Sequence, residues 1–439
     1  MDIATLYKTY LRHPQVTTDS RHCPPGSLFF ALKGERFDGN RFAKQALDGG
    51  ASYAVVDDPA AVNGKRTLLV ADVLQSLQAL ARYHRLRLGT PIIGITGTNG
   101  KTTTKELLAC VLASQYKLLA TEGNLNNQIG VPLTLLRLRP EHELAVIEMG
   151  ASHPGDIREL VDIARPDYGL ITNIGHAHLE GFGSFEGVVR TKGELYDYLR
   201  DNHGLIFIHK EDENLQSIAK GLEEITYGSI PGCFVEGHAL ADGSPFLAFD
   251  WQQTQGNLHK VHTHLIGDYN LPNALAAIAA ARYFHIPPVL IDSALAAYEP
   301  SNNRSQWVET KRNRLVVDAY NANPDSMKAA LENFRRMEAS PKVAILGDMK
   351  ELGGDSGTLH EEVLQLALDY RFDKLYLCGK NFAGAEERLA AAKESGTDIF
   401  TCPTTEALTA ELQSRPPENC LVLVKGSHSM NLETLIPFL

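Results

Sequence analysis

The sequence is short of several things, and each absence excludes something. It has no apolar run approaching the ~20 residues that span a bilayer. Its first ten residues, M-D-I-A-T-L-Y-K-T-Y, hold no leader-type apolar core. No membrane insertion is expected, and the cytoplasm is the expected compartment. Long lysine and arginine blocks are missing too, and the formal net charge is −11. That balance argues against nucleic acid or a membrane surface as partner, yet leaves room for a small anion held in one local site. The six cysteines (Cys23, Cys110, Cys233, Cys378, Cys402, Cys420) are scattered, with no C-x-x-C pair. They lack the spacing of a zinc site or redox pair and are expected to be small buried apolar residues in a reducing compartment. No internal repeat or low-complexity segment is visible.

What is present is a chain of 439 residues, 44% hydrophobic and 22% charged, an ordinary balance for a globular protein. At ~150 residues per domain, the length suggests about three domains. The rest is organised around residues 92–106, I-I-G-I-T-G-T-N-G-K-T-T-T-K-E. An apolar strand leads into Gly97, Thr98, Asn99, Gly100, Lys101 and Thr102, and Leu107, Leu108, Val111 and Leu112 then repeat at helical spacing. Strand, glycine-bearing turn, Lys-Thr and helix is the order of a phosphate-binding loop. The glycines let backbone N–H groups close around phosphate oxygens, and the helix N-terminus adds partial positive charge. Lys101 can reach the terminal phosphates and the Thr102 hydroxyl can ligate Mg²⁺. Only two residues separate the glycines, where the usual G-x-x-x-x-G-K-[ST] has four.

Residues 1–88 read as a small α/β domain, with strands over 27–32 and 53–56, a short helix over 41–47 and an amphipathic helix over 73–88. Two of its loops, residues 17–21 (T-T-D-S-R) and 33–40 (K-G-E-R-F-D-G-N), mix hydroxyl, basic and turn residues. Each suits a polar anionic ligand, although alone each fits a solvated turn better.

Residues 89–299 read as a second domain. After the phosphate loop comes G-N-L-N-N-Q-I-G-V-P, residues 123–132, a tight polar loop, and then a helix. A strand over 144–147 ends in Glu148, a crossover helix spans 157–164, and a strand over 168–174 leads to His178. Such alternation predicts a parallel sheet, with ligands at the carboxyl ends of its strands. Glu148 is then placed to anchor nucleotide Mg²⁺. A histidine after a strand is more often a turn or core residue, and imidazole suits Mg²⁺ less well than oxygen does. A helix over 187–199 carries Lys192. Two alternating runs flanking Q-Q-T-Q-G-N predict an antiparallel hairpin whose His262 and His264 share a solvated face. G-D-Y-N-L-P-N then opens an alanine-rich helix.

Residues 300–439 read as a third domain, again a parallel αβ sheet, with strands over 315–318, 343–346, 374–377 and 420–424. Its strand-end loops, residues 318–325 (D-A-Y-N-A-N-P-D), 347–354 (G-D-M-K-E-L-G-G) and 425–429 (K-G-S-H-S), suggest a second ligand surface facing the nucleotide if the domains close.

Together these motifs resemble the Mur ligase family of peptidoglycan synthesis. The resemblance covers essentially the whole chain. It rests on G-T-N-G-K-T-T-T-K-E, G-N-L-N-N-Q-I-G-V-P, E-M-G-A-S, H-L-E-G-F-G-S, D-A-Y-N-A-N-P-D-S-M and L-G-D-M-x-E-L-G. The shortened phosphate loop is what this family carries. The resemblance is strongest to the branch that adds D-alanyl-D-alanine to UDP-N-acetylmuramoyl-tripeptide. It implies an α/β chain of three domains: a UDP-sugar-binding N-terminal domain, a central P-loop ATPase-like parallel sheet with an antiparallel addition, and a C-terminal Rossmann-like doubly wound sheet. It also implies an ATP-dependent amide-forming ligase working through an acyl phosphate, with ATP, two Mg²⁺ ions and a carbamylated lysine, in a protein expected to be a monomer.

The same resemblance implies roles by residue. Gly97, Thr98, Asn99, Gly100, Lys101, Thr102 and Thr103 match the ATP phosphate loop. Thr102, Glu148 and His178 match Mg²⁺ positions, and Lys192, in T-K-G-E-L, matches the carbamylated lysine. Asn270 and Asn273 match asparagines near the adenine, and Arg304 and Asp318 match groups that reach the nucleotide on closure. Thr18, Asp19, Ser20, Arg21 and Lys33 lie in loops matching those that hold the UDP-sugar; Asn126, Asn127, Tyr320, Asn321 and Asn323 complete the expected substrate set. One departure is His428, where the family's K-G-S-R-S has arginine. The rival readings are a sibling ligase adding a single amino acid, or glutamate to folate, a nucleotide switch, and a UDP-sugar binding protein. Lys101 itself is expected at a solvated loop end.

Overall fold

The computed structural model describes residues 1–35, 37–241, 243–301, 304–389 and 396–439; residue 36, inside the 33–40 loop, lies outside them. Strands and helices alternate along most of the chain and, among the described residues, build three large sheets and a two-stranded antiparallel ribbon, Lys33–Gly34 with Phe37–Asp38.

The first sheet is parallel, in the order β1 (Val16–Thr17), β2 (Leu28–Phe30), β3 (Tyr53–Val56), β4 (Thr67–Leu69). The Val73–Leu88 helix lies where its spacing predicts. Asp72 caps it by accepting from the Gln75 N–H, and it ends at Gly89 in the left-handed region (φ 70°). Its apolar stripe, Leu77, Leu80 and Ala81, joins a core containing Phe30 from β2 and Leu135, Leu160 and Val161 from the central unit.

The central sheet has nine strands: β5 (Ile92–Thr96), β6 (Leu118–Ala120), β7 (Leu144–Glu148), β8 (Tyr168–Ile171), β9 (Leu205–His209), β10 (Glu223–Gly228), β11 (Val235–Ala239), β12 (Phe246–Gln253) and β13 (His259–Ile266). Their order is β13-β12-β11-β10-β9-β8-β5-β7-β6. All pairs are parallel except β11–β12 and β12–β13, the expected antiparallel addition. The chain leaves β5 toward one edge, returns to β7, then crosses to β8 on the other side. That reversal opens a crevice at the carboxyl end of β5. In the alanine-rich Leu271–Tyr283 helix every residue from Asn273 to Ala281 is buried. Small side chains let it lie close to the Lys101–Ala113 helix, whose Leu107, Leu108 and Val111 share its core.

The third sheet runs β14-β15-β19-β16-β17-β18, from β14 (Gln306–Glu309), β15 (Arg314–Asp318), β16 (Lys342–Gly347), β17 (Lys374–Cys378), β18 (Asp398–Cys402) and β19 (Leu421–Lys425). Only β14 is antiparallel. Alternation along each strand separates two cores. Val316, Ala344, Leu346 and Leu375 face the Pro324–Arg336, Ser356–Asp369 and Lys380–Arg388 helices. Leu315, Val317, Ile345 and Tyr376 face the Thr405–Ser414 helix and the C-terminal Leu432–Phe438 segment. The sheet is doubly wound, with helices on both faces.

Some expected boundaries move, and the strand predicted over 27–32 spans only Leu28–Phe30. The strand predicted over 168–174 stops at Ile171, because the next residues turn to bond the phosphate loop instead of a neighbouring strand. Beyond the predicted elements, β1, β4, β6, β9, β10, β11, β14 and β18 are present as well.

Candidate active site

The loop after β5 has two glycines that its shape requires. Gly97 has φ 141° and Gly100 φ 77°. A Cβ on Gly97 would overlap the Thr172 hydroxyl; one on Gly100 would lie 2.7 Å from Asn273 Oδ1. Residues after β8 hold the loop's backbone. The N–H groups of Thr98 and Asn99 donate to the carbonyl and side-chain oxygen of Asn173 (3.0 and 2.9 Å), and Thr172 Oγ1 donates to the Asn99 carbonyl (2.6 Å). The Lys101–Ala113 helix then begins without a side-chain cap, so its first amides face the crevice as a partial positive charge.

Lys101 is not at a solvated loop end as expected. Its side chain folds back into the crevice, where Nζ donates to the carbonyls of Gly97 and Thr98 (2.7 and 3.0 Å). Burial pushes its pKa down to about 8, against the pull of Glu148 and with a smaller push from Arg304. The turn's own carbonyls supply the acceptors that hold the ammonium there.

Glu148 ends β7 and is 1% exposed. Its Oε1 accepts from Thr102 Oγ1 (3.2 Å) and from Asn126 Nδ2 (2.8 Å), so the polar 123–132 loop supports the carboxylate. The other oxygen, Oε2, is buried with no hydrogen-bond partner. Such an oxygen is costly unless something fills the space beside it. Among the described residues no three His, Cys, Asp or Glu side chains converge on one point, but the Thr102–Glu148 oxygen pair fits a hard cation.

His178 lies along the same cavity wall. Its backbone is left-handed (φ 52°), and its Nδ1 is in close contact with the Glu351 carboxylate. Burial lowers its pKa most; Glu351 opposes this, and Lys101 and Lys192 reinforce it. Lys192 is 2% exposed, with Nζ 5.3 Å from the centre of the Phe182 ring. Burial, together with Lys101, holds its pKa well below the lysine range. Lys192 is therefore not a solvated surface lysine, and the two acids nearest it on its helix are engaged elsewhere. Glu194 accepts from the N–H groups of Gly155 and Arg158 (3.0 and 2.8 Å), and Asp197 pairs with Arg200 (2.7 Å).

The third sheet closes the crevice from the opposite side. Asn323 caps the Pro324–Arg336 helix and donates from Nδ2 to Asn99 Oδ1 (2.7 Å). Asp325 accepts from the His176 N–H (2.7 Å). Arg304 lies 3.7 Å from the centre of the Tyr320 ring, which also stacks on His428 at 5.3 Å. Lys425 Nζ is 2.5 Å from Asp318 Oδ2. A cavity of ≈ 730 Å³ is bounded by the phosphate loop, Thr103, Glu148, His178, Asn270, Asn273, Arg304, Asp318, Tyr320 and Asn321. Asn270 and Asn273 are bonded to each other (2.9 Å), and Asn273 Oδ1 accepts from Thr104 (3.1 Å), so this pair also braces the loop. Asn127 lines the cavity while its Oδ1 accepts from Ile129 and Gly130. Asn126 and Asn323, expected on substrate, have their amides engaged by Glu148 and Asn99.

The candidate residues of the first sheet form a separate cluster. Thr18, Asp19, Ser20 and Arg21 follow β1, Lys33 follows β2 and Asp57 follows β3, so all occupy one carboxyl edge. Arg21 makes two 2.9 Å bonds to Asp19, and Lys33 pairs with Asp57 at 2.8 Å. None of them borders the large cavity.

Thr172, Asn173, Glu351 and Lys425 were not singled out from the sequence. The only signal for Asn173 was a polar T-N after an apolar strand.

Three family profiles match the chain: "Mur ligase family, catalytic domain" over residues 14–86, "Mur ligase middle domain" over 95–281, and "Mur ligase, glutamate ligase domain" over 303–428. A curated relative, the UDP-N-acetylmuramoyl-tripeptide--D-alanyl-D-alanine ligase of Bacillus subtilis (strain 168), is 36% identical over 99% of this chain and 96% of its own. The crystal structure of MurF from Acinetobacter baumannii matches with a TM-score of 0.86 at 32% identity, covering 96% of this chain and 92% of that one. MurF ligase from Thermotoga maritima in complex with ADP matches with a TM-score of 0.83 at 28% identity, covering 98% and 97%.

Proposed function

Because the chain belongs to the Mur ligase family, we propose that it is the ATP-dependent ligase that joins D-alanyl-D-alanine to UDP-N-acetylmuramoyl-tripeptide in peptidoglycan precursor synthesis. The observation that carries this reading is the single cavity bounded by the phosphate loop on one side and the strand-end loops of a second αβ sheet on the other. A switch needs the first wall only; joining two substrates at ATP needs both. Relatives named for this reaction match over nearly the whole length.

In the proposed reaction the tripeptide carboxylate attacks the γ-phosphorus in line and ADP leaves, giving an acyl phosphate. The dipeptide amine then attacks the acyl carbon, phosphate departs and the amine loses its proton. The first step sets an anion against a polyanion. Lys101 and the uncapped helix amides are placed to offset that repulsion without reorganising. Docking of the third sheet through Asn323 and Asp325 holds the reactants together and excludes water, which would otherwise hydrolyse the acyl phosphate. Thr102 and Glu148 would hold Mg²⁺, which supplies charge neutralisation at the phosphate oxygens. For Lys192 the support is its burial: an amine kept neutral can take up CO₂, and the resulting carbamate oxygens suit a second hard cation. We assign residues 1–88 to the UDP-sugar, 89–299 to ATP and 300–439 to the incoming dipeptide.

The test is ADP release with UDP-N-acetylmuramoyl-tripeptide against a panel of amino acids and dipeptides. D-alanyl-D-alanine is expected to stimulate it; stimulation by a single amino acid alone would indicate a sibling ligase. For Lys192, the Ala variant is expected to be nearly inactive and to recover part of its rate with a short carboxylic acid in the buffer. An active variant, or an inactive one that no acid rescues, would count against the carbamate.

A further inference from the structure

The L-G-D-M-K-E-L-G stretch carries one acid that the proposed reaction leaves unused. Glu351 lies in the loop after β16, and that loop is pinned at several points. Asp348 accepts from the N–H groups of Asn381 and Phe382 (3.2 and 3.0 Å). The Met349 N–H donates to His360 Nε2 (3.0 Å) and the Lys350 N–H to Ser427 Oγ (3.1 Å). Met349 and Leu352 are buried on either side. Between these anchors Glu351 is held at φ 62°, and the side chain it meets, His178, is itself at φ 52°. Both residues lie in the left-handed region, which histidine enters more readily than most residues and glutamate seldom does. Here two such residues from different sheets are aimed at each other, and the Glu351 carbonyl also accepts from the Glu180 N–H (3.4 Å).

We infer that Glu351 is a positioning residue for His178: docked from the third sheet, its carboxylate fixes Nδ1 as the protonated nitrogen and leaves Nε2 free to serve the divalent cation of the nucleotide. The inference rests on the reading of His178 as a further ligand of the Mg²⁺ that Thr102 and Glu148 would hold, the position the family resemblance implies for it. An imidazole that ligates through one nitrogen commonly donates its other N–H to a carboxylate, which sets both the tautomer and the ring orientation. In this chain the orienting carboxylate comes from another sheet, so the ring is correctly set only while the third sheet is docked. The Glu351 side chain is 58% exposed, so its hold on the ring comes from the anchored loop that delivers it and not from burial. A blocking contact would act with the opposite sign, because removing the carboxylate would then free the ring and tighten cation binding.

The test uses the full chain saturated with ADP, with Mn²⁺ as the probe and free Mn²⁺ read by electron paramagnetic resonance. His178→Ala and Glu351→Ala are each expected to weaken Mn²⁺ binding, by ~10–100-fold for a lost supporting partner. The double variant should be no weaker than His178→Ala alone. Glu351→Gln should recover part of the affinity, since an amide oxygen can still accept from Nδ1–H and the side chain keeps its length. If His178→Ala weakens binding while Glu351→Ala stays within twofold of the parent, or binds Mn²⁺ more tightly, the inference fails and the His178 assignment stands. If neither variant shifts Mn²⁺ affinity, both fall together.

Discussion

The carboxyl edges of the first and central sheets are built on the same plan and finished differently. Both sheets place a polar loop after successive parallel strands. On the first, the basic partners are open to water: Arg21, 80% exposed, with Asp19, and Lys33, 52% exposed, with the more buried Asp57. On the central sheet the partners are far apart in sequence and buried or half-buried, as in Thr102 with Glu148 and Asn99 with Asn173. The lesson is one of dielectric. Exposed pairs are screened and easily exchanged for ligand contacts, which suits recognition. Buried ones are held in place before any ligand arrives and act at full strength, which suits chemistry.

The sharpest way to break the comparison is Lys101→Ala. If the central edge is the chemical one, kcat should fall by ~10²–10³, the scale for one electrostatic donor removed from a transition state, in a steady-state assay. Near-full turnover would remove the distinction. Glu148→Gln should act next most strongly. Its amide can still meet Thr102 and Asn126 but offers a poorer ligand at the unpartnered position, so the Mg²⁺ concentration for half-maximal rate should rise several-fold. An unchanged Mg²⁺ titration would show that Oε2 faces no cation. Arg21→Ala probes the exposed edge. KM for the UDP-linked substrate should rise a few-fold with kcat held, and the difference from the parent should shrink as salt is raised from low to ~0.5 M. A fall in kcat with KM unchanged would place chemistry on the wrong sheet.

The smallest effect concerns stability. The Lys101 pKa of about 8 lies below the ~10.4 of a free lysine. Between those values the unfolded chain binds more protons than the folded one, so the parent's stability rises with pH across that window. Lys101→Met lacks the group. Thermal melts of the two should therefore show the parent gaining on the variant from pH 8 to ~10.4, with a constant difference below pH 7. A flat difference throughout would mean Lys101 is not desolvated in the fold.

Periodicity and strand–loop–helix order made much of the fold legible: β5, β7, the β12–β13 hairpin and the Val73–Leu88 helix fall where apolar spacing puts them. β9, L-I-F-I-H, is an apolar run that periodicity could have found, although no strand was expected there; β10 and β11 carry mixed residues, Glu223 and His238 among them, and take their state from neighbours. At the site, Lys101, Thr102 and Glu148 could be read because their roles follow from position after a strand. The burial of Lys192 could not, since a lysine in T-K-G-E-L looks the same on a surface helix. Nor could the Glu351–His178 contact, which joins residues 173 positions apart through two loops whose meeting depends on how separate sheets pack.

One further consequence follows from the place where β13 ends. Ile266, its last residue, is buried in the core of the third sheet, and Phe246 of β12 packs edge-on against Trp307 of β14 at 5.8 Å. During synthesis the chain emerges from its N-terminus, so these two side chains can be in position before residues 306–425 leave the ribosome. The last unit to be made meets an apolar foothold offered by the one before it, and its folding is directed toward the crevice it will cover.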